Sequence, residues 1–219
     1  MNTKLLLSAA LVIAIIVSSF AVYLFLAAQD TRIRVACVGD SLTQSTSYPY
    51  TLWNLLGNQT CDLYNFGAGA TTVNLASDTP YANTTVYQDA LDYNADIIII
   101  MLGTNDAQPS LVPYNDSFVA DYKVIIQSFQ ASPETPDIYV VLPPPIYDSQ
   151  GGKMNPEFFA QTLIPYIEQA ADETGVPIID VYSQMVGHPE YSTDGVHLTY
   201  EGGEVVADII YSSIFSTPP

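Results

Sequence analysis

Apolar residues follow two alternating patterns along the chain. Short runs of consecutive apolar residues are typical of buried β-strands, and apolar residues repeated every three or four positions are typical of amphipathic helices. The run at residues 97–102 (IIIIML) is apolar throughout and is bounded by Asp96 and Gly103, which predicts a central strand buried on both faces. The predicted strands are residues 33–38, 61–66, 97–102, 138–142 and 176–181, and the predicted helices are residues 50–56, 85–94, 117–131, 156–174 and 200–214.

Strands and helices alternate five times in this assignment. Such alternation predicts an α/β fold, a three-layer sandwich in which helices cover both faces of a five-stranded parallel sheet through right-handed crossovers. The sequence contains no internal repeat, low-complexity tract or linker that would separate two domains. We therefore expect a single domain over residues 31–219.

Residues 5–28 form an uncharged, mostly apolar stretch that follows Lys4. A helix of this length, at about 1.5 Å per residue, would cross the roughly 30 Å hydrocarbon layer of a bilayer. Residues 1–30 are therefore expected to be a transmembrane anchor, with a cleaved signal segment as the alternative and a buried core helix as a weaker one. Because the short positive N-terminus should stay inside, the rest of the chain is expected outside the cytoplasm, anchored or, after cleavage, secreted.

The composition narrows the range of partners and cofactors. Five Lys and Arg against 23 Asp and Glu give a net charge of -18, which would repel a nucleic acid backbone. With two His and no paired ligand motif, a metal site is not expected. Cys37 and Cys61 are expected to be small buried hydrophobes, with a disulfide as the alternative, because their offset on neighbouring strands suits a bridge poorly.

Small and polar residues follow the first three predicted strands directly. They are Gly39, Asp40 and Ser41 after the first strand, residues 67–70 (GAGA) after the second, and residues 103–106 (GTND) after the third. Ligands of open parallel sheets bind outside the carboxyl ends of the strands. We therefore expect these three loops to meet at one edge and form a site.

The residues needed for acyl transfer by a serine are all present. Ser41 follows a strand, and Asp194 precedes His197 by three residues, a spacing that lets the carboxylate orient the imidazole. Backbone N–H groups of Ser41 and Gly69 and the side-chain amide of Asn105 could stabilise an oxyanion. Each residue alone also has a structural interpretation: a Gly-Asp-Ser turn, a helix cap for Asp194, and satisfaction of buried backbone groups for Asn105.

Four blocks of sequence resemble those of the SGNH (GDSL-like) hydrolase family. They are residues 38–43 (VGDSLT), 65–71 (NFGAGAT), 103–106 (GTND) and 194–198 (DGVHL), and the resemblance spans residues 33–214. It implies a flavodoxin-like sheet, Ser41 as nucleophile, Asp194 and His197 as the rest of a triad, and an oxyanion hole from Ser41, Gly69 and Asn105. The second block departs from the family pattern Asn-x-Gly-x-x-Gly, so Gly67 is the alternative oxyanion glycine.

Within that family, the sequence is most similar to carbohydrate acetylesterases of the sialate O-acetylesterase and acetylxylan esterase type. The similarity lies in residues 47–49 (SYP), 78–81 (DTPY) and 104–109 (TNDAQP). It implies release of acetate from sugar hydroxyls without a metal or organic cofactor. A lipase or thioesterase for longer acyl chains and an inactive, anchored carbohydrate-binding module are the alternatives. Asp40 and Asp106 are expected to hold their loops by hydrogen bonds, and His188 to be a loop residue.

Overall fold

The computed structural model describes residues 12–13, 15–23, 32–57, 59–111 and 117–215. By its internal contacts the chain divides into two units, Met1–Arg32 and Ile33–Pro219. Residues 15–23 of the first unit are helical, but most of the predicted membrane segment, residues 5–28, lies outside the described residues. Among the residues that are described, no helix combines the length and the apolar character needed to cross a bilayer.

The second unit contains a parallel sheet of five strands in the order β2-β1-β3-β4-β5. The strands are β1 (Ile33–Gly39), β2 (Cys61–Gly67), β3 (Ile97–Met101), β4 (Asp137–Leu142) and β5 (Ile178–Asp180). All five residues of β3 are buried, because this central strand is covered on both faces. The sequence therefore predicted the α/β class, the number of strands and their parallel arrangement correctly.

Helices connect the strands and cover both faces of the sheet. They are α1 (Ser41–Gln44), α2 (Tyr48–Leu56), α3 (Thr85–Asp92), α4 (Phe118–Gln130), α5 (Pro156–Phe158), α6 (Ile164–Thr174), α7 (Val181–Met185) and α8 (Tyr200–Phe215). A π-helical segment, Phe159–Leu163, joins α5 to α6. The 3-10 helices Tyr81–Asn83, Asn105–Ala107 and Pro189–Tyr191 lie in the loops.

The alternating side chains of the strands divide the core into two clusters. Val38 and Ile100 face the cluster that contains residues of α3, α4 and α6. Cys37 and Ile99, each one position earlier in the chain, face the cluster that contains residues of α2, α7 and α8. Because successive strand residues point to opposite faces, one sheet supports two separate cores. The result is the three-layer sandwich that the sequence predicted.

Both cysteines are buried, and neither forms a disulfide. Cys61 lies opposite Ile33, whereas Cys37 lies opposite Asn65 four positions further along β2. At about 3.3 Å per residue this offset exceeds the reach of a disulfide. The interpretation of both cysteines as small buried hydrophobes is confirmed.

The fifth strand is shorter than predicted. The apolar run at residues 176–181 suggested six strand residues, but β5 covers only Ile178–Asp180. Pro177 lacks an N–H for the ladder, and the side chain of Asp180 accepts the N–H of Ser183 and so caps α7, which begins at Val181. The short helices α1 and α7 were not predicted, since four or five residues are too few for a helical period to be recognised.

The first three strands end at the same level, which positions the site. Gly39, the last residue of β1, pairs with Gly67 of β2 on one side and with Met101 of β3 on the other. The N–H of Ala68 then donates to the carbonyl of Gly39 at 2.9 Å, so the second loop leaves the sheet beside the first. The three loops that the sequence singled out therefore meet at one edge.

Candidate active site

Ser41 is the first residue of α1 and directly follows the turn after β1. The buried Asp40 carboxylate accepts the N–H of Leu42 at 2.9 Å and so fixes the start of the helix. Burial raises the pKa of the Asp40 carboxyl to about 7, although the hydrogen bond from Leu42 opposes this. A Cβ at Gly39 would lie 2.6 Å from the carbonyl oxygen of Met101, so only glycine allows this close approach. Ser41 is thereby held at the strand end, partly exposed.

His197 and Asp194 belong to the loop that precedes α8. One carboxylate oxygen, Asp194 Oδ1, accepts the N–H of Val196 at 3.0 Å and that of His197 at 2.7 Å, which closes the turn. Gly195, between Asp194 and Val196, has φ 91, a conformation that favours glycine. Because α8 begins only at Tyr200, Asp194 is part of this turn and does not cap the last helix.

The side chains of Ser41, His197 and Asp194 form a continuous chain of hydrogen bonds. Ser41 Oγ lies 3.0 Å from His197 Nε2, and His197 Nδ1 lies 2.8 Å from Asp194 Oδ2. With its proton on Nδ1 donated to the carboxylate, the imidazole leaves Nε2 to accept the Ser41 hydroxyl. The side chains of His197 and Asp194 are 42% and 45% exposed, so the chain of bonds opens to solvent.

The Asp194 carboxyl remains ionised down to strongly acidic pH. Its partial burial would raise the pKa, but the hydrogen bonds from the side chain and N–H of His197 and from the N–H of Val196 lower it to about 2. A carboxylate that accepts several hydrogen bonds and faces an imidazole is more stable in its charged form. Asp194 is therefore available to stabilise a positive charge on His197 over the whole neutral range.

Asn105 and Asp106 connect the loop after β3 to the loop after β2. Asn105 Nδ2 donates to the carbonyl of Thr71 at 2.9 Å, which uses one of its two amide protons. The two oxygens of the buried Asp106 carboxylate accept the N–H groups of Val73 and Asn74, each at 2.9 Å. Burial raises the pKa of Asp106 to about 7 against these hydrogen bonds. The predictions that Asp40 and Asp106 hold their loops by hydrogen bonds are confirmed.

The loop after β2 passes beside Ser41, but the N–H that was predicted as its oxyanion donor already has a hydrogen-bond partner. The N–H of Gly69 donates to Gln44 Oε1 at 3.0 Å, and that of Gly67 donates to Asn65 Oδ1 at 2.9 Å. Ala70, which follows Gly69, has φ 60, and its N–H makes no hydrogen bond within the described part of the chain. Sequence reasoning did not identify Gln44, although its position three residues after Ser41 could have suggested it.

His188 lies outside this arrangement. It is exposed in a loop, with Nδ1 2.9 Å from Glu190 Oε1 and its ring stacked on Tyr191. This second histidine-carboxylate pair has no serine hydroxyl among its hydrogen-bond partners in the residues described. The expectation of a loop residue is confirmed for His188.

Comparison with known proteins gives matches to lipases, acylhydrolases and esterases. A profile of the GDSL-like Lipase/Acylhydrolase family matches residues 37–205. An acetylxylan esterase of Xylanibacter ruminicola is 28% identical over 214 residues, which cover 86% of this chain. The matched region is 44% of that relative, so the chain spans less than half of its length.

Two solved structures share the fold at low sequence identity. A carbohydrate acetylesterase family member from Sinorhizobium meliloti superposes with a TM-score of 0.67 at 22% identity, covering 83% of this chain and 97% of the other. A lipase/acylhydrolase from Enterococcus faecalis gives a TM-score of 0.70 at 18% identity, covering 83% and 95%. These two structures show the shared fold, and the profile match over residues 37–205 establishes that the chain belongs to the GDSL-like lipase/acylhydrolase (SGNH) family.

Proposed function

We propose that this protein is a serine esterase that releases O-acetyl groups from carbohydrates. The observation that carries the proposal is the continuous hydrogen-bonded series from Ser41 through His197 to Asp194. A nucleophile, a base and a carboxylate that orients the base are the groups that acyl transfer by serine requires. The family is shared with lipases and acylhydrolases, and the acetylxylan esterase relative supports the narrower activity.

In the proposed reaction, His197 Nε2 takes the hydroxyl proton of Ser41 while Ser41 Oγ attacks the ester carbon. Asp194 stabilises the imidazolium that forms. The tetrahedral intermediate collapses when His197 returns the proton to the departing sugar oxygen, which leaves an acetyl group on Ser41. Water, activated by His197, then attacks this acyl-enzyme and releases acetate and the free serine.

The negative charge on the former carbonyl oxygen needs hydrogen-bond donors that are in place beforehand. We assign this role to the N–H of Ser41, to the second amide proton of Asn105 and to an N–H of the loop after β2, where Gly69 was predicted. Thr71 accepts one proton of Asn105 and so fixes the direction of the other. No metal or organic cofactor is required by this scheme.

The surroundings of Ser41 support a polar acyl acceptor. Leu42 and Thr43, directly after Ser41, are buried, but the next four residues are polar: Gln44 and Ser45 are exposed, and Thr46 and Ser47 are half-buried. Hydroxyl and amide groups of this kind hydrogen-bond well to sugar hydroxyls. A long acyl chain would instead need an extended apolar groove beside Ser41.

The proposal is tested by hydrolysis of matched esters. Residues 32–219 should release acetate from acetylated xylo-oligosaccharides and hydrolyse 4-nitrophenyl acetate faster than 4-nitrophenyl octanoate, and the Ser41→Ala variant should do neither. A preference for octanoate would favour the lipase alternative. A folded wild-type chain that binds acetylated sugars without hydrolysing any ester would favour the binding module.

We also propose that residues 5–28 keep the catalytic unit at a membrane, outside the cytoplasm. This proposal is supported by the length of the stretch, by its lack of charged residues and by the positive charge of Lys4 before it. N-terminal sequencing of the native protein tests the proposal. A mature chain that begins near Gln29 would show that the segment is a cleaved signal.

A further inference from the structure

Gln44 joins the helix that begins at the nucleophile to the loop after β2. It is the last residue of α1, three positions after Ser41, and residues three apart lie on the same face of a helix. Its side-chain oxygen accepts the Gly69 N–H at 3.0 Å. A Cβ placed on Gly69 would lie 3.8 Å from Ser41 Cβ, so this part of the loop runs directly beside the nucleophile.

The base of the same loop is held independently of the Gln44 side chain. Asn65 Nδ2 donates to the carbonyl of Thr43 at 2.8 Å, and Asn65 Oδ1 accepts the N–H of Gly67 at 2.9 Å. A Cβ on Gly67 would lie 2.2 Å from the backbone nitrogen of Gln44, so backbone packs on backbone here. The Gln44 carboxamide therefore acts on the tip of the loop, beyond this contact.

The tip of the loop is fixed on both sides of Ala70. Before it, Gln44 Oε1 accepts the N–H of Gly69, and Thr79 Oγ1 donates to the carbonyl of Ala70 itself at 2.9 Å. Between these two contacts Ala70 has φ 60. A residue other than glycine is uncommon in this conformation and persists where its surroundings determine it. Among the described residues, the N–H of Ala70 has no acceptor.

We propose that Gln44 is a positioning residue for the oxyanion hole: its carboxamide takes the Gly69 N–H and so holds the loop with the Ala70 N–H as the donor left for the substrate. This inference rests on the proposed esterase function and refines it, since it moves the loop donor by one residue. Gln44 acts through the loop and does not itself touch the reacting atoms. Because an oxyanion donor acts mainly in the transition state, its misplacement lowers kcat more than it changes KM.

The test compares variants that remove the side-chain acceptor of Gln44 but keep the helix. Gln44→Met preserves the length of the side chain, and Gln44→Ala is a second variant in case the first folds poorly. Gln127→Met is the matched control, an exposed glutamine on α4. For each protein we would measure kcat and KM with 4-nitrophenyl acetate, the rate at which a 4-nitrophenyl alkylphosphonate labels Ser41, and the thermal unfolding midpoint.

Both Gln44 variants should lower kcat by about 10-fold or more, a part of the loss expected for a missing oxyanion donor. KM should stay within about twofold. The phosphonate, which also develops a charged oxygen, should label Ser41 more slowly by a similar factor, while the unfolding midpoint and the Gln127→Met protein remain close to wild type.

Two results separate failure of this inference from failure of the proposed function. Suppose that the wild type shows Ser41-dependent hydrolysis and that the Gln44 variants keep the wild-type kcat, whether or not their KM changes. Gln44 then does not position a donor, and the inference is wrong. If the wild type shows no Ser41-dependent hydrolysis of any ester, the proposed function and this inference both fail.

Discussion

Ser41 Oγ lies 3.0 Å from His197 Nε2 although 156 residues separate the two in the chain. The contact joins the first loop of the sheet to the loop before the last helix. His197 is fixed on its other side by Asp194 Oδ2 at 2.8 Å. The hydrogen-bonded series of Ser41, His197 and Asp194 therefore forms only when nearly the whole domain is folded, and each member can be tested separately.

Ser41→Ala should abolish ester hydrolysis without unfolding the protein. The change removes the nucleophilic oxygen at a partly exposed position and leaves in place the hydrogen bond that the N–H of Leu42 donates to Asp40. Steady-state hydrolysis of 4-nitrophenyl acetate gives the activity, and circular dichroism gives the fold. His188→Ala, a change at the exposed histidine, is the control and should keep wild-type kcat. Normal turnover by folded Ser41→Ala protein would be incompatible with the mechanism.

Asp194→Asn should lower kcat by about 10⁴-fold, as loss of the orienting carboxylate does in other serine hydrolases. The amide oxygen can still accept the N–H groups of Val196 and His197 that Asp194 Oδ1 accepts now. Its NH₂ group would then face Nδ1 and favour the tautomer that leaves no acceptor for Ser41. Asp208→Asn, at an exposed position of α8, is the matched control. A loss of less than tenfold would contradict the role assigned to Asp194.

Asn105→Ala should lower kcat by about 100- to 1000-fold, the loss expected for one oxyanion donor. KM should change much less, because the donor is used mainly in the transition state. The variant also loses the hydrogen bond to Thr71, so its unfolding midpoint must be measured beside the kinetics. Asn54→Ala removes an exposed amide from α2 and serves as the comparison. A raised KM with unchanged kcat would place Asn105 in substrate binding instead.

Asp40→Asn should reduce the dependence of stability on pH. Burial raises the pKa of Asp40 to about 7 in the folded protein, whereas an unfolded aspartate has a pKa of about 3.9. The folded state therefore binds more protons between these values, and its free energy of unfolding should fall as the pH rises from about 4 to 7. At about 1.4 kcal/mol per pKa unit, this carboxyl contributes on the order of 3 kcal/mol to that fall.

Urea denaturation at pH 5 and pH 8 measures this effect. The Asn side chain keeps an oxygen for the N–H of Leu42 but does not titrate, so the difference between the two pH values should be smaller than in wild type. Asp89→Asn, an exposed change on α3, should leave the difference unaltered. An equal difference in Asp40→Asn and wild type would show that Asp40 is ionised in both the folded and unfolded states.

The sequence alone was sufficient to predict the order of the strands and helices along the chain, because local apolar periodicity determines which segments can be buried. The run at residues 97–102 and the glycines after the first three strands indicated both the parallel sheet and the edge where the loops meet. The short helices and the end of β5 were not predicted. They depend on single hydrogen bonds, such as that from Ser183 to Asp180, which leave no periodic pattern.

Residue types and spacing identified Ser41, Asp194, His197 and Asn105 as candidates, because acyl transfer by serine requires these groups. Only the tertiary structure decided how they meet. The Ser41–His197 distance depends on the packing of the entire sheet, and the donation of the Gly69 N–H to Gln44 depends on contacts between residues 25 positions apart. Such contacts form when two loops pack together, and the sequence of either loop alone does not determine their geometry.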